Sequence, residues 1–198
     1  MMDEKIGFVK KRIEESIEAK KEFLNQAENI SKAVELIVNS LKNNGKILVF
    51  GNGGSAADAQ HIAGELVAKF MIERKAIPAI ALTTDMSILT AWSNDYAEGF
   101  EEVFSRQIEA HARTGDVLIG ISTSGNSENV IRGLKKGREI GTNNISLTGK
   151  DGGKIKGLSD VNINSNSTST PRIQECHEIA YHIICEIVEK EMADFFNN

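Results

Sequence analysis

The sequence predicts an α/β domain in which helices cover both faces of a parallel β-sheet, a three-layer αβα sandwich. After residue 45, short apolar runs of strand length alternate with amphipathic stretches of helical length. Two loops rich in glycine and serine directly follow two of these runs, at the strand ends where parallel sheets bind ligands. The length of 198 residues suits one large domain. We therefore expect a helical hairpin over residues 1–44 that belongs to the same domain as residues 45–198.

The N-terminal hairpin is predicted by apolar residues that recur every three, four or seven positions. In the first helix, Lys5 to Ala27, these residues form one narrow stripe between lysines and glutamates. A second helix with the same rhythm ends at Asn43, Asn44 and Gly45. Such a stripe favours packing against a partner subunit, although packing within its own domain would also explain it.

The remaining elements follow from strand-length and helix-length patterns. The helices are expected between and after the strands, so that both faces of the sheet are covered. The predicted strands span residues 46–50, 79–82, 117–121, 145–148 and 161–163, and the predicted helices span residues 56–70, 86–91, 99–113, 128–140 and 170–194. Residues 162–170, rich in Asn, Ser and Thr, are expected to form a surface loop or the rim of a site.

Composition limits the classes of function. Hydrophobic residues make up 40% and charged residues 26%, which excludes a disordered or fibrous chain. The formal charge of -5 disfavours nucleic acid as the main ligand. No apolar run approaches the ~20 residues needed to span a membrane, so a cytoplasmic protein is expected. Cys176 and Cys185 would face opposite sides of one helix and cannot pair there, which suits a reducing compartment.

The first candidate binding loop is Gly51-Asn52-Gly53-Gly54-Ser55, between a strand and a helix. Backbone N–H groups at a helix N-terminus are unpaired, so an anion or a sugar hydroxyl could bind there. The spacing also fits G-x-G-x-x-A, which invites a dinucleotide hypothesis. That match is weak, because Glu73 precedes the second strand and Asp85 lies too far along to bind the ribose. A nucleotide triphosphate loop is disfavoured because G-K-[ST] is absent.

The second candidate loop, Ser122-Thr123-Ser124-Gly125-Asn126-Ser127, offers several hydroxyl donors beside another helix N-terminus. This set suits a phosphate monoester without a lysine, although an ordinary helix-capping cluster would have the same composition. Two such loops at neighbouring strand ends could hold the two ends of one small phosphorylated molecule.

Metal and acid–base candidates lie on two helices. His61 and Glu65 are four residues apart and share a helix face, which permits metal binding but also occurs on solvated surfaces. Gln174 and His182 are separated by roughly 12 Å along a helix axis, a long span for two ligands of one ion. Their side chains would have to converge, or different subunits would contribute them. Alternatively, His182 is a core histidine.

Taken together, these residues resemble the phosphoheptose isomerases of the sugar isomerase (SIS) domain superfamily, nearly end to end. The resemblance rests on residues 51–55, Asn94-Asp95, residues 120–127, residues 147–153, and Arg172-Ile173-Gln174-Glu175 with His177. His61 and Glu65 together with Gln174 and His182 match the family's zinc and catalytic set. The resemblance implies a flavodoxin-like or Rossmann-like SIS fold and a homotetramer with active sites at subunit boundaries.

The resemblance also implies the reaction and the role of each residue. It is an aldose–ketose isomerisation of sedoheptulose 7-phosphate to D-glycero-D-manno-heptose 7-phosphate through an enediolate, on the way to nucleotide-activated heptoses for surface polysaccharide. Glu65 would be the base, His182 the acid, and one Zn²⁺ per subunit would be bound. The implied metal ligands are His61, Glu65, Gln174 and His182, and the implied substrate-binding residues are Asn52, Gly53, Gly54, Ser55, Glu65, Asn94, Asp95, Ser122, Thr123, Ser124, Ser127 and Gln174.

Two departures and two rival functions accompany this interpretation. Lys69-Phe70 stands where relatives often have Arg-Tyr, and residues 165–170 match no pattern of the family.

One rival function is that of a non-catalytic SIS regulator of the initiator-associating type, whose members lack the Glu and the His found here as Glu65 and His182. The other rival is a SIS isomerase for a ketohexose or pentose phosphate.

Overall fold

The structure, a computed structural model, describes residues 2–197 and confirms the three-layer α/β architecture. Within these residues, five parallel strands lie in the order β2-β1-β3-β4-β5, and eight α-helices and one short 3₁₀ helix surround them. The strands are β1 (Ile47–Gly51), β2 (Ala79–Ala81), β3 (Val117–Ser122), β4 (Asn143–Gly149) and β5 (Val161–Ser165). The helices are α1 (Met2–Glu22), α2 (Ala27–Lys42), α3 (Gly54–Val67), α4 (Met86–Asp95), α5 (Gly99–His111), α6 (Glu128–Ile140), α7 (Gly153–Lys156) and α8 (Thr170–Asn197).

This strand order is flavodoxin-like and defines where a ligand binds. From β1 the chain adds β2 on one side of the sheet, and it then adds β3, β4 and β5 on the other side. The direction in which strands are added therefore reverses between β1 and β3. Gly51 at the end of β1 is in register with Ile121 near the end of β3. Both small-residue loops predicted from the sequence therefore open side by side at the switch point of the sheet, where open α/β sheets bind ligands.

Two apolar cores hold the layers together. One contains α2, α3 and α8 packed on one face of the sheet, and the other contains α5, α6 and Ile155 of α7 on the opposite face. Neighbouring residues of β1 alternate between them, with Val49 in the first core and Phe50 in the second. Both residues are fully buried, as expected for a central parallel strand covered on both sides.

The two predicted N-terminal helices are present, joined by a single 3₁₀ turn (Phe23–Gln26). Both α1 and α2 contact α8. The helices differ in burial, because α2 buries seven residues whereas α1 buries none. The α1 stripe predicted from the sequence remains exposed, with Val9 at 54% and Ile13 at 55%.

Three element boundaries differ from the prediction in ways that matter for the site. Helix α3 begins two residues earlier, at Gly54, and ends at Val67, so Phe70 lies in the following loop. Helix α4 continues to Asp95 and thereby includes Asn94. The short helix α7 was not predicted, because four residues cannot show a helical period. Within residues 2–197, no helix is both long and apolar enough to cross a membrane.

Candidate active site

The first binding loop turns sharply between β1 and α3. Gly53 has a φ of 57° and ψ of -121°, a backbone conformation that only glycine adopts readily. The Ser55 N–H donates to the Asn52 carbonyl at 3.0 Å, which closes the turn. A Cβ on Gly54 would overlap with Nε2 of Gln174, so the absence of a side chain there lets α8 approach the loop.

The second loop joins β3 to α6 and gathers three serine hydroxyls. Ser122 Oγ lies 2.9 Å from Ser127 Oγ and 3.4 Å from Ser124 Oγ. Ser127 occupies the N-cap position of α6 but makes no side-chain capping hydrogen bond. This arrangement argues against an ordinary capping cluster, since the Ser127 hydroxyl bonds to that of Ser122 and not to a backbone N–H of α6. Hydroxyl donors beside a helix N-terminus suit a phosphate group.

The turn between β4 and α7 supports the second loop. Gly125 has a φ of 65°, and a Cβ there would overlap with the Gly152 carbonyl oxygen. A Cβ on Gly153 would in turn lie 2.5 Å from the Gly125 carbonyl oxygen, and the Ile155 N–H donates to that oxygen at 3.0 Å. The glycines of residues 149–153 thus allow a close backbone contact that fixes the shape of the loop.

Asn129, which the sequence analysis missed, connects the two loops. Its Nδ2 donates to Asn52 Oδ1 at 2.9 Å, and Asn52 Nδ2 donates to Asn129 Oδ1 at 2.8 Å. Asn129 is buried, whereas Asn52 is half-buried and lines a cavity of about 610 Å³. Each side-chain amide donates one hydrogen bond to the other and accepts one from it. Asn52 therefore keeps its second N–H and the second lone pair of its oxygen for a ligand. No sequence signal reveals this pair, because the two residues are 77 positions apart.

The cavity lies beside the β1 loop, between the end of β1 and the helices α4 and α5. Gly51, Asn52 and Gly53 line one side of it, Asn94 lies at its rim, and apolar side chains of α4 and α5 close the other side, among them Met86, Leu89, Phe100 and Phe104. Asn94 donates through Nδ2 to Asp95 Oδ1 at 3.0 Å, and both side chains are exposed. Of the predicted sugar-binding residues, Asn52 and Gly53 of the β1 loop and Asn94 of α4 line this one space.

A second group of chemically active side chains lies on the facing surfaces of α3 and α8. His61 Nε2 is 2.9 Å from Glu65 Oε1, and His61 Nδ1 is 3.0 Å from Tyr181 Oη. The ring centroids of His61 and His182 are 5.1 Å apart. The structure thus brings three of the four predicted metal ligands together, and His182 is half-buried beside His61, outside the apolar core.

Gln174 is separated from this group within the chain. Its side chain meets Gly54, at the opposite end of α3 from Glu65. Glu178 takes the nearby position instead, since a carboxylate oxygen of Glu178 and ring nitrogens of His61 and His182 all lie within 4.8 Å of one another. Glu178 precedes His182 by one helical turn on α8, a spacing that a search for i, i+4 pairs would have found.

The charge around this group suits a cation. Asp58 Oδ2 is buried and has no hydrogen-bond partner among residues 2–197. Burial, together with the nearby charge of Glu178, raises the pKa of Asp58 to about 6, although His61 opposes the shift. Two imidazoles surrounded by carboxylates form the nitrogen and oxygen donor set that divalent transition metals bind.

Lys69 and Phe70, where the sequence departs from the family pattern, have different surroundings. Lys69 is exposed, and its Nζ lies 3.9 Å from Glu73. The Phe70 ring stacks on the His182 ring, with centroids 5.6 Å apart and an interplanar angle of 13°. Phe70 is therefore part of the surroundings of a candidate catalytic residue, a role that no sequence pattern indicated.

Comparisons with known proteins agree with this geometry. The SIS domain profile matches residues 11–149. The chain is 53% identical to the phosphoheptose isomerase of Aquifex aeolicus, in an alignment that covers 94% of this chain and 97% of that protein. It is 50% identical to the phosphoheptose isomerase of Clostridium acetobutylicum, with 94% of this chain and 95% of that protein covered. Among solved structures, phosphoheptose isomerase GmhA from Neisseria gonorrhoeae superposes with a TM-score of 0.87 at 47% identity, covering 93% of this chain and 98% of that one. The Francisella tularensis enzyme superposes with a TM-score of 0.89 at 35% identity over the same shares.

Proposed function

This chain belongs to the phosphoheptose isomerases of the SIS domain family, and we propose that it interconverts sedoheptulose 7-phosphate and D-glycero-D-manno-heptose 7-phosphate in heptose biosynthesis. One observation carries the proposal beyond the family match. The serine-rich loop and the glycine-rich loop open side by side at the switch point of the sheet, and the Asn52–Asn129 pair joins them. A phosphate group on the serine-rich loop would extend its sugar past the glycine-rich loop.

The acid–base chemistry is assigned to Glu65 and His182. An aldose–ketose isomerisation moves a proton between C1 and C2 and exchanges hydroxyl protons, so it needs one base and one acid. Glu65 would take and return the carbon-bound proton, and His182 would exchange protons with the hydroxyl oxygen. Replacing Glu65 with glutamine keeps the shape of the side chain but removes the base, so turnover should be lost while the protein stays folded. Near-normal turnover of this variant would show that the base is wrong.

A zinc ion is the proposed cofactor, one per subunit. His61, Glu65 and His182 would hold it, and Gln174 is the fourth predicted ligand. When bound, zinc supplies positive charge that polarises the carbonyl and hydroxyl oxygens of the substrate. The proximity of Glu178 and the unpartnered oxygen of Asp58 support a cation here. Chelation should abolish turnover, and added zinc should restore it.

The distance between the two parts of the site supports the proposal that active sites form between subunits. Glu65 lies eleven residues along α3 from Gly54, about 16 Å along the helix axis. A seven-carbon sugar phosphate reaches at most about 12 Å when extended, with bonds of about 1.5 Å. A site within one chain would therefore require a substrate that is almost fully extended between Gly54 and Glu65, which favours a Glu65 supplied by a neighbouring subunit. The exposed stripe of α1 offers a surface for assembly, and we propose a cytoplasmic homotetramer.

Mixing two inactive variants tests this arrangement. One variant carries Glu65→Gln, and the other carries Ser124→Ala with Ser127→Ala in the phosphate loop. If each site takes its loop from one subunit and Glu65 from another, refolding an equal mixture should restore about a quarter of wild-type activity, because a quarter of random pairings are intact. Recovery of no activity, from assemblies that light scattering shows to be mixed, would place both parts in one subunit.

The direct test is turnover of sedoheptulose 7-phosphate by the purified protein, followed by a coupled assay for the aldose product. Conversion that depends on zinc supports both the reaction and the metal. A folded assembly that binds the sugar phosphate without converting it would instead support a regulatory SIS protein, which the presence of Glu65 and His182 does not favour.

A further inference from the structure

A buried ion pair, Arg74 with Glu189, lies at the end of α3 that carries Glu65. Arg74 Nε is 3.2 Å from Glu189 Oε1, and both side chains are only 1% exposed. The contact has the distance of an ion pair without the alignment of a hydrogen bond. Removing two charges from water is costly, and an apolar pair of the same size would often stabilise a fold equally well. The contacts of each partner show what this pair holds in place.

Glu189 fixes the loop that follows α3. Its Oε1 accepts from the Phe70 N–H at 2.8 Å, and its Oε2 accepts from the N–H groups of Met71 at 2.7 Å and Ile72 at 3.1 Å. Burial raises the pKa of Glu189, but these three donors and Arg74 outweigh it, so the net shift is downward and the carboxylate stays charged. Three successive backbone donors on one carboxylate leave the loop little freedom.

Arg74 fixes the end of the helix itself. Its guanidinium donates through Nη2 to the Glu65 carbonyl oxygen at 2.7 Å and through Nη1 to the Ala68 carbonyl at 3.4 Å and the Lys75 carbonyl at 3.1 Å. The last carbonyls of a helix lack intrahelical partners, so this cation caps α3 at the turn that carries Glu65. The backbone position of the proposed base thus depends directly on Arg74.

The same pair also reaches His182. Glu189 and His182 are seven residues apart on α8, two helical turns, and so share one face. From that face Glu189 holds the backbone of Phe70, and the Phe70 ring stacks on the His182 ring at 5.6 Å. One pair of charges therefore contacts the backbone of the base and, through Phe70, the ring of the acid.

We propose that Arg74, Glu189 and Phe70 are positioning residues of the isomerase, which hold the backbone of Glu65 and the ring of His182 in the geometry that proton transfer requires. The inference rests on the proposed function. None of the three is placed against the substrate. Their loss should therefore lower kcat and leave the KM for the sugar phosphate nearly unchanged, because the phosphate loop and the cavity lie at the other end of α3.

The kinetic test compares Glu189→Gln with Glu186→Gln, a matched change on the same helix at a residue whose partner, Lys190, is exposed. We expect kcat to fall about 10- to 100-fold for Glu189→Gln, the cost of a misplaced catalytic group, with KM within about two-fold of wild type. The control should keep both constants. Phe70→Leu should lower kcat in the same way with the ion pair intact, so a failure of Glu189→Gln to fold leaves this test available. Phe70→Tyr, which keeps the ring, should retain the wild-type kcat.

A spectroscopic test separates positioning from general loss of structure. A ring stacked on His182 shifts its imidazole NMR resonances by ring current, and the chain has only four histidines to assign. In Phe70→Leu these resonances should move while those of His111, exposed on α5, stay in place. Unchanged His182 resonances in Phe70→Leu, or wild-type kcat in both Glu189→Gln and Phe70→Leu, would overturn the inference. A wild-type protein without turnover would instead refute the proposed function, and the resonances would still report whether Phe70 is stacked.

Discussion

Replacing Asn129 with aspartate tests how the two binding loops are joined. The two side chains have nearly the same shape, but a carboxylate cannot donate. Asn129→Asp therefore removes the hydrogen bond to Asn52 Oδ1, now 2.9 Å long, and places a second acceptor oxygen against that atom. The bond from Asn52 Nδ2 to position 129, 2.8 Å in the native protein, can remain.

The magnitude follows from burial and from the place of the residue in the helix. Asn129 is 2% exposed, so water cannot easily replace the missing donor, and an unpaired buried polar group costs about 1–3 kcal/mol. Asn129 is the second residue of α6, where a negative charge gains about 0.3–1 kcal/mol from the helix dipole. The loss is larger than the gain, so the free energy of unfolding should fall by about 1–2 kcal/mol. If Asn52 turns away from the substrate, kcat/KM should fall about tenfold, mainly through KM.

Chemical denaturation and steady-state kinetics at several pH values provide the assay. Once protonated, the new carboxyl group can again donate to Asn52, so the folded variant holds its proton more tightly than the unfolded chain does. Over that range the folded state binds more protons, and the stability deficit should grow as the pH rises and shrink as it falls. Asn39→Asp, the same change at an exposed position in the last turn of α2, serves as the control. It should leave kcat/KM unchanged and cost at most about 0.3–1 kcal/mol of stability, because a negative charge there opposes the helix dipole.

Two results would refute this reasoning. If Asn129→Asp matches wild type in both stability and kcat/KM, the amide pair does not hold Asn52. If stability falls while KM is unchanged, the pair supports the fold and does not orient a substrate contact.

Three other predictions concern the phosphate loop, the core and the assembly. Gly125→Ala would place a Cβ in overlap with the Gly152 carbonyl oxygen, on a residue whose φ is 65°, so the loop must shift. We expect the KM for the sugar phosphate to rise at least about tenfold in steady-state assays. An unchanged KM would contradict the role of this loop. Burial lowers the pKa of His177 to about 4, against 6.5 in the unfolded chain, so between these pH values the unfolded chain binds a proton that the folded protein does not. The free energy of unfolding should therefore fall by up to about 1.4 kcal/mol per pH unit as the pH drops from 6.5 towards 4. Denaturation of His177→Asn over the same pH range should lack this component. Ile13→Glu places a charge on the exposed stripe of α1 and should lower both the mass measured by light scattering and the activity, whereas a fully active assembly of unchanged mass would exclude the stripe as an interface.

The fold could be predicted because its signals are local and repeated. Each strand and each long helix has its own apolar period, and helix α6 begins and ends at the predicted residues, between Ser127 and the left-handed Gly141. The end of α3 was predicted three residues too late, because Lys69 and Phe70 continue a helical composition. The helix stops at Val67 since Glu189, over a hundred positions later, binds the N–H groups of the following loop. A contact of that kind leaves no local pattern.

The local parts of the candidate site could be predicted from the sequence, and the contacts between distant residues could not. The two loops could be recognised because their chemistry is contiguous in the sequence. The relation of Gln174 to His182 could not be settled from spacing, and within one chain the structure keeps Gln174 beside Gly54, away from the histidines. Glu178 and Asn129 were missed because each becomes relevant only through a residue of another element.

The proposed phosphate loop carries no positively charged side chain of its own. Residues 122–127 contain no Lys or Arg, and the chain carries a net charge of -5, so the anion donors that this loop offers are its hydroxyls and helix N–H groups. Neutral donors act over short distances, and they bind well only if they are held in position before the ligand arrives. The close contact of Gly125 with Gly152 and the Asn52–Asn129 pair provide that rigidity at one end of α3, and Arg74 with Glu189 provides it at the other. Since about 16 Å of helix separates the two ends, rigidity within each chain would allow two subunits to bring their halves of the proposed shared site together in register.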